Sequence, residues 1–164
     1  MSYLFSAQDV LETAIQIEKN GAAFYEGLAR STANFQARGV YNNLVEQEHK
    51  HQSTFEQMLG SIVAQQDGQH LFEDRALFVK NLAEGAIFTG QKVISDMARR
   101  ALGDAEAIQI GIGFEKDSIL YYTEMRDIVR QVDRDVVDRV ISEEKKHLAT
   151  LSELLKKVGQ RPQT

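Results

Sequence analysis

The sequence of 164 residues contains no cysteine and no tryptophan. Without cysteine there is no disulfide, no iron–sulfur cluster and no tetra-cysteine iron site. A single proline, Pro162, lies in the C-terminal tail, so nothing bars long uninterrupted helices elsewhere. No apolar run approaches the ~20 residues of a membrane span. Residues 1–10 carry neither Lys nor Arg and no apolar core of the signal-peptide kind. A basic excess is also missing: 24 acidic side chains against 19 Lys and Arg leave a net charge of −5. That balance argues against a general binder of nucleic acid or of anionic membranes. These absences together describe a cytoplasmic protein.

What is present is a repeated helical pattern. Hydrophobic residues make up 43% of the chain, ordinary for a folded protein. A chain of this length buries roughly 70% of its unfolded surface and suits one domain spanning residues 1–164. Within residues 40–59, apolar side chains recur at Tyr41, Leu44, Val45, Phe55 and Leu59, the spacing of one helix face. Glu48 and His51 fall on that face, one turn apart. The same arrangement returns at Glu144 and His147, among Val137, Val140, Ile141, Leu148 and Leu151. About thirty residues before each Glu-x-x-His lies a helix with one Glu on its apolar side, Glu18 and Glu115. Each is followed by Lys, and seven residues after the Glu by Tyr25 or Tyr122. The chain therefore reads as two copies of one helix pair.

The pattern predicts an all-α protein, an antiparallel four-helix bundle. The first hairpin spans 7–62, with Ser6 as N-cap, Asp9 in the first turn, and a short turn at 31–34. Asp67-Gly68 breaks the period. Residues 63–103 form a long crossover with one or two short helices, from amphipathic pieces at 72–82 and 91–102. The second hairpin spans 104–158, with Asp104 as N-cap and a tight connection at 131–133. The tail after 158 is expected to fray.

Four carboxylates and two imidazoles at mid-bundle form a donor set with a charge problem. Buried carboxylates repel one another and resist ionisation. Two divalent cations resolve this, because four positive charges meet four negative ones. Oxygen-rich ligation with one imidazole per ion suits iron or manganese, alone or mixed, better than closed structural zinc. Glu18, Glu48, His51, Glu115, Glu144 and His147 are the candidate ligands. Glu46 and His49 also read Glu-x-x-His but fall about 200° and 100° from Glu48 around the helix, so they face away. His70, in the crossover, has no partner motif and reads as a surface residue.

Four further residues border the ligands. Tyr25 and Tyr122 serve either as core side chains or as hydrogen-bond donors to ligand carboxylates. Gln47 and Glu143 each precede a motif Glu. They are either solvated or partners of the opposite imidazole, Gln47 of His147 and Glu143 of His51. Gly111 and Gly113 weaken their helix by up to ~1 kcal/mol each and point to close packing or an access path.

These residues resemble the ferritin-like superfamily, and within it rubrerythrin-related proteins that consist of the di-iron domain alone. The resemblance rests on residues 14–18 with Phe24-Tyr25, 44–51, 114–118 with Tyr121-Tyr122, and 141–147. It implies Glu18 and Glu115 as terminal ligands, Glu48 and Glu144 as bridges, and His51 and His147 on one ion each. It implies two irons, and reduction of hydrogen peroxide or oxygen with electrons from a separate donor protein. Ferroxidase or iron-handling activity is the alternative, and a metal-stabilised interaction module without catalysis is a third. A homodimer is expected from the same resemblance. Two departures stand out. Rubrerythrins carry a rubredoxin domain with four cysteines, and this chain has none. They also carry an extra Glu one turn after the third-helix ligand, where this chain has Ser118.

Overall fold

A computed structural model describes residues 6–65, 77, 81 and 103–159. Four long helices account for nearly all of them: α1 (Ala7–Ser31), α2 (Phe35–Gln65), α3 (Asp104–Arg126) and α4 (Arg134–Gly159), with a short 3-10 turn (Gln131–Asp133) before α4. The short helices expected in the crossover, His70 and the frayed end at 160–164 lie outside the described residues. Leu77 and Asn81 are helical.

Local chemistry explains the helix ends. Ser6 caps α1 in a capping box: the Asp9 N–H donates to Ser6 Oγ (3.2 Å), and the Ser6 N–H donates to Asp9 Oδ2 (2.7 Å). Such a cap stabilises a helix by ~1 kcal/mol. Thr32 closes α1 through its N–H to the Leu28 carbonyl (2.9 Å). Asn34 then opens α2, its Oδ1 accepting from the N–H groups of Gln36 (3.1 Å) and Ala37 (3.3 Å).

The start and end of α3 differ from expectation, each for a tertiary reason. The N-cap is Gly103 rather than Asp104. Its φ of 155° is one that side-chain-bearing residues rarely adopt. The Asp104 carboxylate instead accepts the Thr32 hydroxyl at 2.8 Å, which ties the α1–α2 turn to the start of α3. Helix α3 also stops at Arg126, short of the predicted 130. The N–H groups of Ile128 and Val129 both turn back to the Met125 carbonyl. This folds those two side chains into the core beside Val137 and Val140. Arg130 Nε then pairs with Asp133 Oδ2 at 2.6 Å and braces the connection to α4.

Helices α1 and α2 pack along their length as one hairpin, and α3 and α4 as the other. Their apolar faces form two clusters. One gathers Val10, Leu11, Phe55, Met58, Tyr121 and Met125 with their neighbours. The other gathers Phe24, Leu28, Tyr41, Leu44, Ile108 and Leu151. A layer of buried polar side chains separates the two. No described helix is long and apolar enough to cross a membrane.

Candidate metal centre

The polar layer holds Glu18, Glu48, His51, Glu115, Glu144 and His147, each between 1% and 6% exposed. Every helix of the bundle contributes: one Glu each from α1 and α3, one Glu and one His each from α2 and α4. The helical period brings them inward, since each lies on the stripe that carries the core residues. The decoy residues separate as phase requires: Glu46 and His49 are exposed.

Their atoms form two overlapping groups. Glu18, Glu48, His51 and Glu144 make one; Glu48, Glu115, Glu144 and His147 make the other. Within each group the donor atoms all lie within 4.8 Å of one another. Glu48 and Glu144 belong to both, as carboxylates shared between two cations would. Both imidazoles turn Nδ1 inward. His51 Nδ1 is 2.8 Å from Glu144 Oε1 and 3.5 Å from Glu18 Oε2. His147 Nδ1 is 3.0 Å from Glu144 Oε2 and 3.6 Å from Glu48 Oε1. The rings lie nearly parallel, 5.5 Å apart at 22°.

Electrostatics of the metal-free layer favour cation binding. Burial, then the charge of Glu144, pushes the Glu18 and Glu48 carboxyls well above the carboxylate range. Burial likewise raises Glu115 to about 7. Glu144 moves the other way. Burial alone would raise it, but the close His147 and His51 imidazoles hold it below the ordinary range. The imidazoles respond in kind. Despite burial, which lowers them, His51 rises to about 9 through Glu144 and His147 to about 10 through Glu115 and Glu144. One carboxylate thus faces two imidazolium rings, while burial favours the protonated form of its neighbours. Glu18 Oε2, His51 Nδ1 and Glu144 Oε1 are buried without an aligned hydrogen-bond partner. Inward donors that share protons because their charges cannot all be expressed fit two divalent cations, which replace protons at such sites.

Cross-hairpin hydrogen bonds hold the ligands. The Tyr25 hydroxyl of α1 donates to Glu115 of α3, and the Tyr122 hydroxyl of α3 donates to Glu18 of α1. Both phenols are pushed up by burial, Tyr25 next by Glu115 and Tyr122 next by Glu18, so both remain protonated donors. His51 Nε2 lies 2.8 Å from Glu143 Oε2, whose side chain is 45% exposed. Gln47 makes no hydrogen bond to His147 among the described residues and instead lines a cavity with His51 and Glu143. Residue 47 is one helical turn before His51 on α2, so both motif-preceding residues line the same cavity as that imidazole.

Glycines give the layer its room. Two neighbours went unremarked in the sequence, Gly21 and Asn20. A Cβ at Gly21 would sit 3.1 Å from Glu48 Oε2, so the missing side chain admits the shared carboxylate against α1. A mid-helix glycine one turn after a ligand Glu was the available signal. Gly111 likewise lets Tyr25 and Leu151 approach, where a Cβ would come within 3.3 Å of both. At Gly113 a Cβ would meet nothing, and the structure gives no reason for glycine there.

The sequence matches the rubrerythrin family over residues 9–155. No curated protein matches it. Among solved structures, it is similar to a Thermotoga maritima protein assigned as a ferritin-like diiron-carboxylate protein. The TM-score is 0.75 at 26% identity, with 96% of this chain and 99% of that one covered. A four-helix bundle of ferritin type, with a buried cluster of four Glu and two His at its middle that could hold metal, and a family match across most of its length, lead to one assignment: the chain belongs to the rubrerythrin family.

Proposed function

We propose that the protein is a cytoplasmic di-iron oxidoreductase that reduces hydrogen peroxide or dioxygen with electrons from a separate donor protein. The observation that carries this reading is the pair of overlapping ligand groups sharing Glu48 and Glu144. Two irons held there would supply two electrons, one from each ion, to the oxidant. With peroxide, two electrons and two protons yield two waters.

The chain's own residues prepare that step. Glu48 and Glu144, which belong to both ligand groups, would each serve both ions. Tyr25 and Tyr122 orient Glu115 and Glu18 by hydrogen bonds, which fixes the carboxylates before the oxidant arrives. The apolar clusters on either side exclude bulk water and lower the local dielectric. Glu143 joins the buried His51 to solvent, a route by which a proton reaches the layer. These 164 residues hold no cysteine for an iron–sulfur or tetra-cysteine iron site, which supports a separate donor in this reading.

The test is stopped-flow mixing of anaerobic, Fe(II)-loaded protein with hydrogen peroxide or oxygen. The reductase reading expects oxidation of both irons within one turnover, and renewed activity with an external reductant. Oxygen uptake that instead scales with excess Fe(II) and leaves ferric mineral would indicate iron oxidation as the main role.

A further inference from the structure

The outer side of His51 opens on a separate space, between α2 and α4. These two helices come from different hairpins and pack more loosely than α1 and α3 do. A half-open cavity of about 330 Å³ lies between them. That volume falls in the range of small-molecule sites, ~300–1,000 Å³, with room for roughly ten waters at ~30 Å³ each. It sets room, not an upper limit. On α2 the wall is Gln47, Lys50, His51 and Thr54. On α4 it is Val136, Arg139, Val140 and Glu143. Both sets follow the i, i+3, i+4, i+7 spacing of one helix face, so each helix presents a whole stripe to the cavity.

The charge of the wall is lopsided. Lys50 and Arg139, one from each helix, bring two positive charges in a chain of net charge −5. Neither makes an ion pair or a side-chain hydrogen bond among the described residues. Gln47 adds a side-chain amide that is likewise without a partner among them. Glu143 is the one acid of the wall, and its Oε2 already faces His51 Nε2 at 2.8 Å. Val136 and the buried Val140 give the α4 side an apolar strip. The repeat does not demand this charge. Glu144 corresponds to Glu48, and in the same register Lys146 corresponds to Lys50 but Asn43 to Arg139. The guanidinium is therefore particular to the His51 side. Two cations without counter-charges beside an apolar strip suit an anion with an apolar body, and a guanidinium fork matches carboxylate or phosphate oxygens.

We propose that the α2–α4 cavity binds a small organic oxyanion, a carboxylate or phosphate on a short apolar body. Arg139 and Lys50 hold the head group from the two helices, Gln47 donates to it, and the body lies on Val136 and Val140. The site is distinct from the six inward donors: His51 lines it while His51 Nδ1 turns towards Glu144. Binding there needs neither iron nor an oxidant, and stands whatever reaction the polar layer performs. The occupant lies against His51 and Glu143, the pair that joins the layer to solvent.

The experiment is calorimetric titration of the metal-loaded protein with benzoate and with phenyl phosphate, against benzamide as the uncharged control. At least one of the two anions should bind, and the tighter of them identifies the head group. Benzamide should bind about tenfold more weakly or less. Arg139→Gln and Lys50→Gln each remove one charge at an exposed position and should keep full metal content. Each should weaken the anion about tenfold, the size of one charge-assisted hydrogen bond. Acetate, which lacks the ring, should bind more weakly than benzoate. Unchanged affinity in both variants with the metals intact overturns the proposal and places the anion elsewhere, on the metals included. Equal binding of benzamide overturns it as well, and so does the absence of binding at about 10 mM of either anion.

Discussion

The half of the metal centre built on His51 and the half built on His147 are near copies on the inside and different on the outside. Each has a terminal Glu held by a tyrosine from the other hairpin, Glu18 by Tyr122 and Glu115 by Tyr25. Each turns an imidazole Nδ1 towards the shared Glu144. Outside, His51 Nε2 meets the half-exposed Glu143, while His147 has no such partner among the described residues. The repeat of the helix pair thus fixes the inner ligands, which depend on helical phase alone. It does not fix the outer contacts, which depend on which side chain happens to precede each motif Glu.

The comparison breaks most completely at the shared carboxylates. Glu48→Ala or Glu144→Ala should remove both metals, because each residue belongs to both halves; metal analysis of the purified variants checks this. Glu18→Ala should instead weaken the His51 half first and leave about one metal per chain. Retention of two metals by both shared-residue variants would mean that the ligand assignment is wrong.

A second test sets the empty centre against the full one. In the metal-free protein Glu115 is raised to about 7, so its stabilisation is complete below 4.5 and lost as pH rises through 7. The contributions of His51 and His147 are complete below 6.5 and lost through about 9 and about 10. Glu144, held low, contributes above 4.5 and loses that contribution only in acid. Metal-free protein should therefore become less stable from pH 5 to pH 9, by on the order of several kcal/mol. Metal-loaded protein should show the opposite slope, since protons compete with the cations. Thermal unfolding of both forms across that range measures it. At pH 7, loading should release one proton each from His51 and His147 and about half of one from Glu115, with the raised carboxyls of Glu18 and Glu48 adding to that count. Calorimetry in buffers of different ionisation enthalpy counts them.

Glu143→Gln sharpens the difference between the halves. It removes the carboxylate that orients His51 and should weaken metal binding at that half alone, by ~10–100-fold. Stepwise metal competition with a chelator would then show two unequal dissociation steps. The smallest effects are expected at the two tyrosines. Tyr25→Phe and Tyr122→Phe each leave a buried carboxylate oxygen without its donor, at a cost of ~1–3 kcal/mol. Chemical denaturation should find the two variants alike, because the inner halves are alike.

Much of this was legible in the sequence, and the limits have physical causes. A period of 3.6 residues separates Glu48 and His51 from Glu46 and His49, because phase depends only on positions along one helix. Ser6 and Asp9 are likewise a local pattern, and their capping box forms. Asp104 looked like a cap for the same local reason. Its carboxylate goes instead to Thr32, 72 residues away in sequence, and no local pattern encodes that contact. The early end of α3 follows from the pull of the core on Ile128 and Val129. Asn20 stayed hidden because a polar residue near an apolar stripe looks like an edge position. Only the assembled bundle shows that it is buried.

Elemental analysis by mass spectrometry, on protein purified without added metal, tests the central claim most directly. About two Fe per chain is the expected result. No bound metal, even after anaerobic addition of Fe(II), would contradict the account and leave six buried titratable side chains without a purpose.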